Sequence, residues 1–159
     1  MPTKGLDPLF QGETDAATAT RIFNVRSNGV RYLTPDELEP YRVFVRDGRL
    51  YSARDGGLFD TSGASSVHAG GGGRAIFVLD EQGNLYASNR QKIGEFHHSS
   101  FLAGRPVAGA GELIVQDGRL IEISDRSGHY RPEPNFRKQV LAQLKAQGVD
   151  VSLVTESSW

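Results

Sequence analysis

The chain contains no cysteine, which excludes disulfide bonds, cysteine-based zinc sites and thiol nucleophiles together. Its formal net charge is -1, so it lacks the basic field that binding to nucleic acid or to an anionic membrane usually requires. No apolar run approaches the roughly 20 residues of a membrane-spanning helix, and we expect no signal peptide at its start. At 159 residues the chain is long enough to form one hydrophobic core without a covalent staple.

Glycine is abundant instead, with 19 residues, which indicates many turns and therefore many short strands. Residues 1–20 lack hydrophobic periodicity and are mostly small or polar, so they predict a flexible tail or linker before a single globular domain at 21–156. Within that tail, LFQG resembles the end of a viral 3C-protease cleavage site. An engineered remnant is therefore an alternative to a native linker.

One pattern occurs three times along the chain: an alternating apolar and polar run, a turn at glycine, and a second alternating run. Asp-Gly between such runs favours a type I′ hairpin turn, because both central residues of that turn need positive φ. The three segments are 43–53, 76–88 and 113–124. They predict about six antiparallel strands, which form a curled sheet or small barrel with one buried face.

Helical signals lie on either side of the strands. Thr34 as N-cap, followed by Pro35 and two acidic residues, predicts a short helical turn. Residues 134–147 predict a longer helix that ends before Gly148, and residues 149–154 predict a last short strand. The predicted fold class is therefore α+β, mainly antiparallel hairpins with one carboxy-terminal helix packed on the sheet.

Two polar clusters are the candidates for chemistry, HHSS at 97–100 and SGHYRP at 127–132. Histidine titrates near neutral pH, so a histidine beside hydroxyl groups can activate a nucleophile. If 97–100 is extended, neighbouring side chains point to opposite faces, so His98 and Ser100 share a side that Ser99 opposes. A serine hydrolase is disfavoured because no G-x-S-x-G motif occurs. A metal site is not predicted because the histidine spacing does not suit one.

A structural role is the alternative for both clusters. Serine and histidine side chains at a buried corner can satisfy backbone groups that the hairpin ladder does not reach. The small-residue run at 103–111 allows two backbones to approach closely there. The glycine-rich segment at 60–74 predicts a surface loop, because it leads into a strand and not into the helix that a phosphate loop precedes.

Several segments resemble, in their order along the chain, the conserved region of the plant IQ-motif calmodulin-binding proteins. Bacterial relatives of that region occur at the carboxyl ends of polymorphic toxins and other effectors. The resemblance covers about residues 38–154 and rests on YRVFVRDGRLY, AIFVLDEQGNLYAS, HHSSFLAGRPVAGAGELIVQDGRL, SGHYRP and the closing helix. The chain contains no IQ helix, so calmodulin binding is not carried over to it.

The resemblance implies a bacterial effector or toxin domain that is soluble, has no membrane partner and is either secreted or delivered into a target cell. An ADP-ribosyltransferase-like enzyme acting on a cellular macromolecule is the first hypothesis, and NAD is then its substrate. No other cofactor is expected. The partners to consider are the target macromolecule and an immunity or chaperone protein. The alternative is a non-catalytic protein- or ligand-binding module with a structural His/Ser/Tyr cluster.

The resemblance also directs attention to residues of both clusters, which we expect to form two walls of one pocket with His98 facing Tyr130. The candidate catalytic residues are His98, Ser100, His129 and Tyr130, and the candidate cofactor-binding residues are Arg42, Ser99 and Ser127.

Overall fold

The computed structural model describes residues 1–68 and 70–158. Its centre is a seven-stranded sheet with the strand order β2-β1-β4-β3-β5-β6-β7. Neighbouring strands are antiparallel, apart from the parallel pair β6 and β7. The strands are β1 (Arg42–Arg46), β2 (Arg49–Ser52), β3 (Ala75–Leu79), β4 (Leu85–Ser88), β5 (Gly109–Gln116), β6 (Arg119–Ser124) and β7 (Thr155–Ser157).

The three predicted hairpins are confirmed as β1–β2, β3–β4 and β5–β6. Asp47 and Gly48 turn the first hairpin with φ angles of 51° and 76°. Asp117 and Gly118 turn the third with φ angles of 50° and 75°. Positive φ at both central residues is the geometry that the Asp-Gly pairs predict.

The sheet curls until its first hairpin meets its third. The Leu50 amide of β2 donates to the Gly118 carbonyl at 2.8 Å, and the Gly118 amide donates to the Phe59 carbonyl at 2.9 Å. These bonds satisfy backbone groups at the free edge of β2, which an open sheet exposes to solvent. The predicted α+β fold with a curled sheet is therefore confirmed.

Four helices accompany the sheet within the described ranges: α1 (Ala16–Phe23), α2 (Pro35–Leu38), α3 (His98–Phe101) and α4 (Pro134–Ala146). Short 3-10 turns lie at Pro8–Phe10 and Glu39–Tyr41. The predicted start of α2 is confirmed by a capping box, in which Thr34 and Glu37 each accept the other's backbone amide proton. None of the described helices is long and apolar enough to cross a bilayer.

The sheet has a core on each of its faces, where the sequence predicts one buried face. All of β3 is buried, and its residues alternate between the two cores. Phe77 and Leu79 pack into the core that α4 covers, whereas Ile76 and Val78 pack into the second. The second core is closed by α3, which contains most of the HHSS cluster, and by Tyr130 of the SGHYRP cluster. Those clusters therefore lie inside the protein.

The amino-terminal residues differ from the expected flexible tail, since they lie against the folded domain. Lys4 and Val107 exchange two backbone hydrogen bonds, at 2.7 and 3.0 Å. Glu13 is buried with 1% of its surface exposed. The segment is held by these backbone hydrogen bonds and by buried side chains such as Phe10 and Glu13, contacts that hydrophobic periodicity does not reveal. The last strand also differs, since it follows the predicted 149–154 and starts at Thr155.

Candidate functional site

The HHSS cluster forms the start of a helical turn and not an extended segment. The His97 amide donates to the Ser100 hydroxyl at 3.0 Å, which closes the turn before α3. Successive side chains are then about 100° apart around the helix axis, where a strand puts them on opposite faces. The predicted arrangement, with His98 and Ser100 on one side, is therefore wrong. The residues concerned are all buried: His97, His98, Ser99, Ser100 and Phe101.

His98 binds the backbone of the sheet. Its Nε2 atom lies 2.7 Å from the Gly111 carbonyl oxygen, and since a carbonyl only accepts, Nε2 carries the proton and donates. Burial lowers the pKa of His98 from 6.5 to about 4. His98 is therefore a neutral donor that satisfies a β5 carbonyl inside the second core.

A buried carboxylate, that of Glu13, joins the two polar clusters. One of its oxygens accepts from His129 Nε2 at 2.8 Å and from the Ser99 hydroxyl at 3.2 Å. The other oxygen accepts from the Tyr32 hydroxyl at 2.9 Å. Burial and the adjacent carboxylate raise the pKa of Tyr32, so this hydroxyl stays a donor. Sequence reasoning missed Glu13, because it lies 86 positions from Ser99 and 116 from His129.

The two clusters meet through His97 and His129, and not through the expected pair of His98 and Tyr130. The imidazole rings of His97 and His129 stack with their centroids 4.6 Å apart. Phe10 stacks on His129 at 3.8 Å and Phe23 on His97 at 4.8 Å. The two phenylalanine rings also lie 5.9 Å apart, so the four rings form one cluster. The Tyr130 hydroxyl donates elsewhere, to the Arg105 carbonyl at 2.8 Å.

His97 is neutral within this stack. Its Nε2 atom accepts a hydrogen bond from the Gly94 amide at 2.9 Å, so that nitrogen carries no proton. Burial, with His129 as the next cause, lowers the pKa of His97 from 6.5 to about 3. A general base needs a pKa near the working pH and access to substrate, and His97 has neither.

The remaining candidates bind neighbouring protein groups. The Ser127 hydroxyl accepts from the Tyr130 amide at 3.3 Å, and the Ser127 carbonyl accepts from the Arg131 amide at 2.8 Å. Arg42 contacts Asn84 at 3.4 Å, at the start of β1. Of the seven candidates, only Ser99 and His129 meet at one acceptor, Glu13. A catalytic role for these residues stays a prediction.

A second buried carboxylate, Glu112 of β5, lies near the glycine-rich loop. One of its oxygens accepts from the Ser66 hydroxyl at 2.5 Å and lies 2.8 Å from His68 Nδ1. Burial raises the pKa of Glu112, but the bonds from His68 and Ser66 outweigh it and hold the pKa below its usual range. Among the residues that the structure describes, no group of three or more His, Asp or Glu side chains is arranged to hold a metal ion.

An open cleft of about 630 Å³ lies beside β1, β2 and β4. One wall is aromatic, since the rings of Tyr41 and Phe96 stack at 5.5 Å and the Arg54 guanidinium lies 5.1 Å over Tyr41. None of the seven candidate residues, all of which the structure describes, lines this cleft. Sequence reasoning assigned no role to the residues that do, because they come from separate loops and share no motif.

The charges around the cleft are unevenly paired. Arg31 binds Glu37 at 2.5 Å, and Lys92 binds Glu95 at 2.8 Å. Arg54 and Arg90 also line the cleft, and neither has a carboxylate within ion-pair distance in the described part of the chain. The cleft therefore presents to solvent, beside an aromatic wall, two guanidinium groups that form no ion pair. The carboxylates of Asp55, Asp60 and Glu95 line it as well.

Comparisons with known proteins place this geometry in a family. Residues 37–136 match a family described as the IQ motif-containing protein middle domain. Similar proteins of Arabidopsis thaliana are IQ domain-containing proteins IQM3, IQM1 and IQM2, with 38%, 37% and 37% identity over 79%, 81% and 80% of this chain. The chain spans 26%, 25% and 20% of their respective lengths. No solved structure matches the chain.

These matches confirm the resemblance to plant IQ-motif proteins and correct the function inferred from it. The expected bacterial effector or toxin domain, with ADP-ribosyltransferase-like activity, is wrong, because the similar proteins are plant proteins named for an IQ domain. NAD was expected only as the substrate of that activity. The bacterial branch of the resemblance led to the error.

Proposed function

Because this chain belongs to the IQ motif-containing protein middle-domain family, we propose that it is a binding domain of a calmodulin-binding-type protein, and that its cleft holds a small anionic ligand. The observation that carries the proposal is the pair of guanidinium groups at the cleft, those of Arg54 and Arg90, that form no ion pair with a described carboxylate. The buried polar clusters have a supporting role in it: they hold α3 and the 127–132 turn against the sheet.

The ligand's charge follows from the cations of the cleft. An arginine guanidinium offers five donors in a planar fork, which fits a carboxylate or a phosphate with two parallel hydrogen bonds. Asp55, Asp60 and Glu95 also line the cleft, but none of them forms an ion pair with Arg54 or Arg90. Two guanidinium groups that are free of ion pairs favour an anion with several acceptor oxygens. Arg31 and Lys92 are less available, because Glu37 and Glu95 already pair with them.

The aromatic wall adds a second feature to the ligand. The Arg54 guanidinium lies 5.1 Å from the centre of the Tyr41 ring, so this wall combines an aromatic face with a cation. Planar rings stack well on such a face. We therefore propose a small anion with an aromatic ring, and adenosine monophosphate is a suitable probe because it carries a phosphate and a base.

We expect adenosine monophosphate to bind the parent protein, and Arg54→Gln or Arg90→Gln to weaken that binding by roughly tenfold each, since each removes a charge-assisted contact. Isothermal titration calorimetry measures both. Arg119→Gln is the matched control, because Arg119 is an exposed arginine on β6 that does not line the cleft. Adenosine without a phosphate tests the role of charge. The proposal fails if the parent binds neither adenosine monophosphate nor pyrophosphate, or if adenosine binds equally well.

We further propose that calmodulin does not bind this domain. The sequence lacks an Ile-Gln pair within a basic amphipathic segment. The basic helix α4 offers Arg137, Lys138 and Lys145, but its apolar residues Phe136, Val140 and Leu144 are buried against the sheet. A helix that binds calmodulin has to present its apolar face, and α4 uses that face for the core.

In a pull-down on immobilised calmodulin, we expect the folded chain to pass through both with calcium and with a chelator. A peptide that carries an IQ motif serves as the positive control on the same resin. Retention of the folded chain, with its circular dichroism spectrum unchanged in the presence of calmodulin, would contradict this expectation.

A further inference from the structure

The protein surrounds the Glu13 carboxylate with hydrogen-bond donors, as a binding site surrounds a carboxylate ligand. Its side chain is fully buried, and three hydroxyl or imidazole donors surround its two oxygens. A buried carboxylate is stable only where donors replace the water that it has lost. The site that Ser99, His129 and Tyr32 form therefore has the composition of a carboxylate receptor.

Two of the three donors, Ser99 and His129, are positioned by contacts that do not involve Glu13. Ser99 lies in α3, whose first turn is closed by the bond from the His97 amide to the Ser100 hydroxyl. His129 stacks on His97, and the turn around it is closed by the bond from the Arg131 amide to the Ser127 carbonyl. Donors that are positioned in advance lose little conformational entropy when an acceptor binds them.

Two of the three donors come from a different part of the chain than the carboxylate that they bind. Ser99 and His129 lie inside the family match at 37–136, whereas Glu13 lies outside it. The segment that carries Glu13 is joined to the family match by backbone bonds between Lys4 and Val107 and by the one from the Asp7 amide to the His129 carbonyl, at 2.8 Å. The family match therefore includes two of the three donors, and the residues before it supply the third donor, Tyr32, together with the acceptor.

We propose that Ser99, His129 and Tyr32 form a carboxylate-binding site, which Glu13 occupies within the chain and an acidic peptide can occupy from another molecule. Phe10 defines the peptide further, since its ring stacks on His129 at 3.8 Å. It precedes Glu13 by three positions, so the site takes a peptide with an aromatic residue three positions before a Glu. This inference is independent of the cleft and of any ligand there.

The first test is rescue by a small carboxylate. Glu13→Ala leaves the three donors without an acceptor, and we expect the melting temperature to fall by about 10 °C. Sodium acetate or formate should restore at least half of that loss, with saturation, whereas sodium chloride at the same ionic strength should not. Glu133→Ala is the matched control. It removes an exposed carboxylate that binds Lys4 of the same segment, so acetate should not raise its melting temperature more than chloride does.

The second test uses a peptide and the variant Glu13→Gln, which keeps the size of the side chain but removes its charge. A fluorescent peptide with the sequence of residues 8–20, PLFQGETDAATAT, should bind Glu13→Gln at least tenfold more tightly than the parent. The same peptide with Gln in place of its Glu should lose that advantage. The proposal is overturned if acetate stabilises Glu13→Ala no more than chloride does, or if both peptides bind equally. If Glu13→Ala does not fold, the peptide titration decides.

Discussion

Replacing Gly111 with alanine is expected to lower the free energy of unfolding by more than about 4 kcal/mol, and to leave much of the protein unfolded at 25 °C. A Cβ atom on Gly111 would lie 1.8 Å from the carbonyl oxygen of Ser124 and 2.6 Å from its carbonyl carbon. Both are backbone atoms of β6, so no side-chain rotation relieves the overlap. On the other side of β5, Gly111 pairs with Phe77 of the central strand β3, which cannot move away.

Urea denaturation followed by circular dichroism measures this effect. Gly128→Ala is the matched control, because a Cβ atom there meets nothing within 4 Å, and its midpoint should stay close to that of the parent. The expectation is refuted if Gly111→Ala unfolds within 1 kcal/mol of the parent, on the order of an ordinary surface change. The close backbone approach predicted from the small-residue run at 103–111 occurs at this glycine.

Acidification from pH 6.5 towards pH 4 is expected to destabilise the protein strongly, through two histidines that are buried in neutral form. Burial lowers the pKa of His98 from 6.5 to about 4 and that of His97 from 6.5 to about 3. The unfolded chain takes up a proton on each residue below pH 6.5, while the folded chain does not. The stability is therefore complete above pH 6.5 and falls progressively until the pH reaches the folded pKa values. At about 1.4 kcal/mol per pKa unit, each histidine accounts for roughly 3 to 5 kcal/mol.

The variant His98→Gln separates the two contributions. Its side-chain amide can still donate to the Gly111 carbonyl, but it does not titrate. We expect the variant to keep most of its stability at pH 7. Between pH 6 and pH 4, the number of protons that it takes up on unfolding should be smaller by about one than in the parent. Urea midpoints at each pH measure this slope. An unchanged slope in His98→Gln would show that His98 is not neutral and buried as the structure places it.

The local elements were predictable because local chemistry determines them. Asp47-Gly48 and Asp117-Gly118 need no distant partner to favour a type I′ turn, and the alternating runs beside them favour strands. Thr34 likewise starts α2 because its hydroxyl accepts a free amide proton of the first turn. Pro35 suits the first helical position because it has no amide proton to leave unpaired. The α+β class follows, because a sheet of hairpins and one amphipathic helix bury their apolar faces against each other.

The candidate site was predicted only in part. The sequence identified HHSS and SGHYRP as clusters that meet, and Ser99 and His129 do converge on one carboxylate. It chose the wrong facing pair because it treated 97–100 as a strand, and a helical turn rotates each side chain by a different angle. The bacterial function inferred with that pocket was wrong as well, since the family match is to plant proteins.

The sequence by itself determined the hairpins, the closing helix and the absence of thiol chemistry, since each depends on neighbouring residues or on composition. Tertiary structure alone decided that Glu13 is an interior acceptor for His129, and that Arg54 and Arg90 line one cleft. The physical reason is the same for both. A buried carboxylate and a cleft both form where segments that are distant in the sequence come together. The spacing of residues along the chain does not show which segments do so.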